Sequence, residues 1–377
     1  MPRTMNQILK TANKPSLYIH IPFCSHLCHY CDFTKFFYQK QWIDAYLNTL
    51  EKEIASFNES SFLTIYIGGG TPTSLSKEEL NRLLEIVKPY SGSTIEFSVE
   101  CNIESTIKEK LELMMNYGVD RLSFGVQSTS NTRLEEIGRK HTYEDAVKII
   151  DLAKSVGFTK MSVDLIYGLP GQTLDEVELD LENILKLGVN HIATYSLTIH
   201  PHTKAYIDKW PLLSDDRSRD FYDLILNKLR SASYERYEVS NFAKVGHKSI
   251  HNHVYWYSLP FYGAGYGASG YLIKDGKHYR YRNIGKFNNY LNGEIEKDDE
   301  WLDEEKRELE YLMNNLRLKQ GFNLEEYDSI FQTSFMTRYD KKLKYLLDLK
   351  LLNLSDNIIS CTDEGLIKLD YILFKLM

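Results

Sequence analysis

Cys24, Cys28 and Cys31 fall in one short segment directly after the apolar run Ser16–Ile21, and only Cys101 and Cys361 stand elsewhere in the chain. Thiolates grouped this tightly suit a metal site better than a disulfide framework, which belongs to exported chains. The number three is informative. A closed zinc site or an ordinary iron–sulfur cluster takes four protein donors. Three cysteines leave one coordination position for a molecule that is not protein. His26 and His29 stand beside the cysteines, and either could instead complete a zinc site. Cys101 and Cys361 read as buried small apolar residues.

The elements that must position these residues repeat at a steady interval. Short β-rich runs at 16–21, 62–67, 94–100, 121–126, 160–166 and 191–197 alternate with helical patterns. Between the first two, Ile43, Tyr46, Leu47, Leu50 and Ile54 form one helical stripe over 41–57. Ser76 followed by Glu78 and Glu79 announces another helix, with an N-cap and acids in its first turn. This alternation predicts an α/β fold with parallel strands. Six repeats fit an incomplete (β/α)6 TIM-like barrel, with a doubly wound sheet as the alternative. The barrel is favoured because the chemically unusual residues sit at successive strand ends: the cysteines, Gly68 to Gly70, Glu100, Gln127 and Asp164. The C-terminal strand ends are where such a barrel builds its site.

The expected organisation is a short arm over 1–15, a partial barrel over 16–280 and a small C-terminal domain over 290–377. The segment 234–271 is irregular and rich in Tyr, His, Asn and Gly, and the polar stretch 274–299 is expected to hold the boundary. The last domain should be mainly helical, with a stripe of Leu309, Leu312, Met313 and Leu316 ending near Gly321, a second stripe of Leu343, Leu346 and Leu347, and a short strand at 357–362. Lys and Arg number 45 against 52 Asp and Glu, a net charge of −7, which argues against a nucleic-acid surface. No apolar run is long enough for an integral membrane segment. The polar stretch 1–15 lacks the apolar middle of a secretory signal, so the cytoplasm is the expected location.

The spacing Cys-x3-Cys-x2-Cys resembles the cluster loop of the radical S-adenosylmethionine enzymes. The resemblance continues through about two-thirds of the chain. It implies a [4Fe–4S] cluster on Cys24, Cys28 and Cys31, with S-adenosylmethionine chelating the fourth iron. Gly68-Gly69-Gly70-Thr71-Pro72 resembles the family's glycine motif along the methionine part of the cofactor, where a missing Cβ permits close approach. By the same resemblance Tyr30, at a place where relatives carry an aromatic residue, would pack against adenine, and Tyr18, which precedes the first cysteine, is a further candidate for cofactor binding. Glu100, Gln127 and Asp164 would meet ribose hydroxyls or neighbouring polar groups. Arg139 would pair with the methionine carboxylate, a contact suited to guanidinium.

Within that superfamily the chain is most similar to the porphyrin-related branch, which holds oxygen-independent coproporphyrinogen III dehydrogenase and the haem chaperones of HemW type. The dehydrogenase carries a further cysteine two positions after the third ligand, where this chain has Phe33, and a longer N-terminal arm. His251-Asn252-His253-Val254-Tyr255-Trp256 matches the chaperones' His-Asn-x-x-Tyr-Trp motif. It implies haem bound by His251, with Tyr255 and Trp256 offering apolar faces. His247 and His253 compete as ligands. The resemblance thus implies haem transfer to acceptor haemoproteins. A flavodoxin- or ferredoxin-type electron donor would be needed if the reduced cluster cleaves S-adenosylmethionine, whose binding could instead act as a switch. The alternatives are the dehydrogenase itself and a zinc-stabilised haem carrier. His200-Pro-His202-Thr203 departs from the branch's pattern. Gly263, Gly265, Gly267 and Gly270 lack the strand–loop–helix frame of a dinucleotide site.

Overall fold

The computed structural model describes Leu9 and residues 14–377; the short arm expected over 1–15 lies almost wholly outside them. Six strands, β1 (Ser16–Ile21), β2 (Thr64–Gly69), β3 (Glu96–Asn102), β4 (Arg121–Gln127), β5 (Lys160–Tyr167) and β6 (His191–Ser196), pair in parallel and in chain order. A doubly wound sheet would reverse its order at a switch point. This one does not reverse, an order compatible with the expected partial barrel. It stays open. Past β6 lies the antiparallel β7 (Asn241–Ala243), and on the far side of β1 lies the parallel β8 (Phe261–Ala264).

Three antiparallel strands continue from β8: β9 (Ser269–Lys274), β10 (Lys277–Ile284) and β11 (Glu296–Trp301). The stretch 274–299, expected as a domain boundary, is therefore part of the main sheet. Its polarity has a different cause: it forms the outer strands of that sheet, and β11 is largely exposed.

Strand alternation sorts the side chains into two populations. Leu17, Ile19, Ile65, Ile67, Val99, Leu122, Phe124, Val163 and Ile192 face the surrounding helices in one continuous apolar core. The helices carry the matching stripes, including α1 (Lys40–Ser56) and α2 (Lys77–Val87). The expected N-cap at Ser76 is present as a full capping box with Glu79, and Thr142 with Asp145 and Thr173 with Glu176 make two more. The other face of the strands carries Glu100, Arg121, Ser123, Ser162, Asp164 and His191, which line one cavity. Such a barrel interior is wet or ligand-filled, unlike the packed layers of a closed TIM barrel.

Glu53 ties the barrel's open side together. Its carboxylate accepts from Gly265 N at 2.8 Å, Tyr290 Oη at 2.8 Å and Asn283 Nδ2 at 2.6 Å. Burial pushes this carboxyl above its ordinary range, and the three donors oppose that shift.

The C-terminal unit has its own core, with Leu312, Leu316, Tyr327, Phe335, Leu346, Ile359 and Ile372. Five helices, Glu304–Arg317, Leu324–Phe331, Phe335–Asp348, Asp363–Ile367 and Leu369–Leu376, pack with a three-stranded sheet that includes the hairpin Leu352–Ser355 and Ile358–Cys361. Met313, placed in the buried stripe by periodicity, is 43% exposed. The buried face runs instead through Glu308, Tyr311, Leu312, Asn315 and Leu316, because Glu308 turns inward to accept from Tyr339 Oη at 2.6 Å and to pair with Arg338 at 2.7 Å. Arg236 reaches Asp363 at 2.6 Å and Arg317 reaches Glu238 at 2.6 Å, joining this unit to the barrel. Among the described residues, no helix is long and apolar enough to cross a membrane.

Replacing Glu53 by Ala leaves three donors facing a cavity. The expected loss is about 3 kcal/mol, read from urea unfolding. An unchanged midpoint would show that these bonds do not hold the open side.

Candidate functional site

At the C-terminal ends of the strands, one cavity of about 410 Å³ gathers most of the residues singled out by sequence. Cys24, Cys28, Tyr30 and Cys31 enter from the loop after β1. Gly69, Gly70 and Thr71 enter from the end of β2, Glu100 from β3, Gln127 from β4, Asp164 from β5, and Arg139 from the segment beyond β4. Tyr18, His251, Tyr255 and Trp256 do not line it.

Two cations and a hydroxyl serve the thiols. Thr71 Oγ1 donates to Cys24 Sγ at 3.5 Å, and Arg139 Nη1 donates to Cys28 Sγ at 3.5 Å. Lys35 Nζ donates to the Cys31 carbonyl. Burial pushes the Cys24 thiol up to about 12, so metal loading must expel its proton, and the nearby cations offset the resulting charge. His29 is turned away, with Nδ1 on the Glu136 carbonyl at 2.9 Å and its ring edge on Trp210. Among the described residues, no three His, Cys, Asp or Glu side chains gather closely enough to hold a single metal ion. The donor set fits a group that presents several metal atoms to thiols spread around a wide cavity.

The glycine motif is held by a carboxylate. Gly69 N donates to Glu100 Oε2 at 3.0 Å, while Tyr66 Oη donates to Glu100 Oε1 at 2.8 Å. Gly69 has φ +110°, and a Cβ there would come within 2.5 Å of His20 Nδ1, so only glycine fits. Gln127 also has positive φ, 72°, beside a register shift between β4 and β5. Such strain in a non-glycine residue is characteristic of functional sites. Burial, and then the Glu100 charge, push the Asp164 carboxyl up to about 7.

Arg139 Nη2 donates to Gly125 O at 2.8 Å, Asn102 Oδ1 at 3.1 Å and Glu104 Oε2 at 3.2 Å. Its Nε is buried without a partner, a donor left for a bound anion.

Sequence reasoning missed His20. Its Nε2 donates to the Thr34 carbonyl at 2.8 Å, which leaves Nδ1 to accept from Tyr18 Oη at 2.9 Å. Tyr18 therefore acts through His20, which pins the far end of the cysteine loop. The i, i+2 spacing of Tyr18 and His20 on β1, on its inner face, was the available signal.

The His-Asn-x-x-Tyr-Trp motif is a helix, Ile250–Trp256, lying beneath the barrel at the N-terminal ends of the strands. Glu96, the first residue of β3, accepts from Ile250 N at 3.0 Å and His251 N at 2.8 Å and so caps the helix. His251 is 0% exposed. Thr64 Oγ1 donates to Ser16 Oγ, so it accepts from His251 Nδ1 at 2.7 Å. His251 Nε2 then accepts from Tyr255 Oη at 2.7 Å. Burial raises the Tyr255 hydroxyl far above an ordinary phenol, which keeps it a donor. His251, expected as the haem ligand, has both ring nitrogens engaged in this structure, and the i, i+4 spacing sets Tyr255 on the same helix face. His253 likewise bonds Ser249 O at 2.7 Å and stacks on Tyr237. Trp256 lies under the Arg317 guanidinium at 4.4 Å.

Asp164 gives a pH test on the metal-free protein. A carboxyl raised from 3.8 to about 7 binds its proton more tightly when folded. Its contribution is full below the unfolded value and is lost as pH rises through the folded one. Thermal unfolding of the wild type should weaken from about pH 4 to about pH 8 more steeply than that of Asp164→Asn. Parallel profiles would refute the assignment.

Residues 18–184 match the Radical SAM superfamily and residues 302–367 the HemN C-terminal domain. Along 93% of its length the chain is 38% identical to the heme chaperone HemW of Lactococcus lactis, covering 94% of that protein. It is 37% identical to the heme chaperone HemW of Bacillus subtilis, covering 93% of this chain and 96% of that protein. The structure of the Escherichia coli coproporphyrinogen III oxidase HemN, a radical SAM enzyme, superposes with a TM-score of 0.82 over 98% of this chain and 93% of that one, at 22% identity, which shows a shared fold. The chain belongs to the radical SAM superfamily and, within it, to the HemW family.

Proposed function

We propose that the protein is a haem chaperone that holds a [4Fe–4S] cluster on Cys24, Cys28 and Cys31 and passes haem to acceptor haemoproteins. S-adenosylmethionine would take the iron that no thiol reaches. The observation that carries the reading is similarity to proteins named heme chaperone HemW along nearly the whole chain, joined to the three-thiol cavity. A bound cluster would supply a one-electron reductant and an open coordination position. The protein's own residues do the rest. Arg139 offers its unpaired Nε–H to the cofactor carboxylate, with Lys35 adding positive charge near the thiolates. Glu100 fixes the glycine motif. Asp164, Gln127 and Tyr30 complete a polar and aromatic wall for the nucleoside part. A flavodoxin- or ferredoxin-type donor would reduce the cluster, and the cytoplasm, where thiols stay reduced, suits the site.

Coproporphyrinogen III dehydrogenase shares the fold, yet Phe33 occupies the position where the sequence resemblance places that enzyme's further cysteine. Phe33 is 65% exposed on the cavity rim and offers an apolar face in place of a thiol.

One anaerobic preparation tests both readings. It should bind haem and leave coproporphyrinogen unchanged; decarboxylation would establish the enzyme instead. Metal analysis of the same material should find iron and sulfide. Cys28→Ser should lose most of its cluster absorbance, and zinc in place of iron would refute the cluster.

A further inference from the structure

A second cavity, of about 390 Å³, opens beside the first; Asp32 and Phe33 line both, and Thr34 and Arg282 line the second. We propose that the face beside it, where Phe33 and Phe37 stand among Lys40, Arg282 and Lys286, is the place at which a small acidic one-electron carrier docks to reduce the cluster. This rests on the haem-chaperone reading and deepens it, by giving the electron donor a position on the molecule.

Three observations converge. First, the cysteine loop reaches the surface beside aromatic rings. Phe23–Cys24 and Phe36–Phe37 form a two-stranded parallel ladder in which Cys24 pairs with Phe37, and Tyr38 N donates to the Cys24 carbonyl at 2.9 Å. Phe37 is 54% exposed, and Phe33, two residues past Cys31, is 65% exposed. The first and last thiols of the loop therefore each have a solvent-facing ring close by, one across a strand spacing of about 4.8 Å. Such rings suit the centre of a protein interface. Second, the cations of this face are unpaired. Lys40, Arg282 and Lys286 are exposed and pair with no carboxylate among the described residues; Arg282 reaches only Thr34 Oγ1 at 3.1 Å. Their segments are held together by Phe36, whose ring centre lies 4.2 Å from that of Phe287 and 6.2 Å from that of Trp42. Lys40 opens α1, which has no acid in its first turn, so the positive end of the helix adds to the field. The acids at the margin are Asp32, which faces His200 at 3.4 Å, and Glu296, whose carboxylate lies against Gly285. Third, the chain carries a net charge of −7, which repels an acidic protein from its surface as a whole. A local positive face on such a chain selects the orientation in which an acidic partner arrives. Transient redox complexes bury less than about 1,200 Å² in all, so a footprint this small suffices.

The electron step balances simply. The carrier loses one electron and is oxidised, and the cluster held by Cys24, Cys28 and Cys31 gains that electron. No bond forms or breaks.

The test uses flavodoxin as the probe and the cluster-loaded full chain. Oxidised flavodoxin should bind the wild type in calorimetry, and more weakly as salt rises from about 0.01 M to about 0.15 M and the screening length falls from about 30 Å to about 8 Å. Lys40→Glu combined with Lys286→Glu should bind about tenfold more weakly at the lower salt and lose most of that salt dependence. Phe37→Ser should bind about fivefold or more weakly at either salt. Reduced flavodoxin should reduce the cluster of each variant more slowly, in step with its affinity, while dithionite, which needs no docking face, reduces all alike. Lys341→Glu combined with Lys344→Glu, exposed on the C-terminal unit, makes the same change in net charge and should stay within about twofold of wild-type affinity. Equal loss in that remote pair would overturn the face, and so would wild-type affinity in the Lys40 and Lys286 pair. Circular dichroism and cluster absorbance report folding; should Phe37→Ser fail to fold, the charge variants decide alone. A wild type that dithionite reduces but flavodoxin neither binds nor reduces would overturn the docking face and leave the chaperone reading standing. A chain without iron and sulfide would defeat that reading, and this inference with it.

Discussion

A barrel that turns Glu100, Asp164, Arg121 and His191 toward its own axis cannot be packed as a dry core. Each of these groups needs a partner, since an unpaired buried charge costs several kcal/mol. The molecule meets the constraint by two means. At the floor, Glu96 caps the helix that carries His251, and Thr64 and Tyr255 hold the imidazole between them. At the top, Glu100 takes the Gly69 amide, and Arg139 spans Cys28, Gly125, Asn102 and Glu104. Between floor and top the polar walls enclose the space where ligands belong. The apolar outer face, packed on the helices, supplies the stability that this interior does not.

The parts of this arrangement that were legible in the sequence are those encoded locally. The cysteine spacing, the glycine motif, the strand periods and the Ser76 N-cap each lie within a few residues, and the N-cap and the strands are found where expected. Strand ends shifted by up to two residues, because parallel pairing with a neighbour extends β2 to Gly69 and β3 to Asn102. Longer-range relations were invisible. His251 meets Thr64 across 187 positions and Glu96 across 155, and no periodicity within 234–271 announces a helix that plugs the floor. The same limit hid the strands after Lys274, whose polar composition reads as a linker until their partners are known. His20 was missed for a subtler reason: a histidine inside an apolar strand looks like core until its two hydrogen bonds are seen.

The C-terminal unit bears on the site only indirectly. Arg317 bridges Glu238 and the Trp256 ring, so the helix Glu304–Arg317 presses on the end of the floor helix. Glu238 in turn accepts from Ser240 N and Asn241 Nδ2 near the start of β7. The second domain thereby braces the floor from below without contributing a side chain to either cavity.

Asp32 and Phe33 stand on the wall common to both cavities. A two-residue partition ordered by an occupant on one side need not be ordered again by an occupant on the other, so the second arrival loses less entropy. Thermodynamic linkage makes any such help mutual and equal in size in the two directions. The cysteine loop runs between the two chambers, so any such linkage would pass through these two residues.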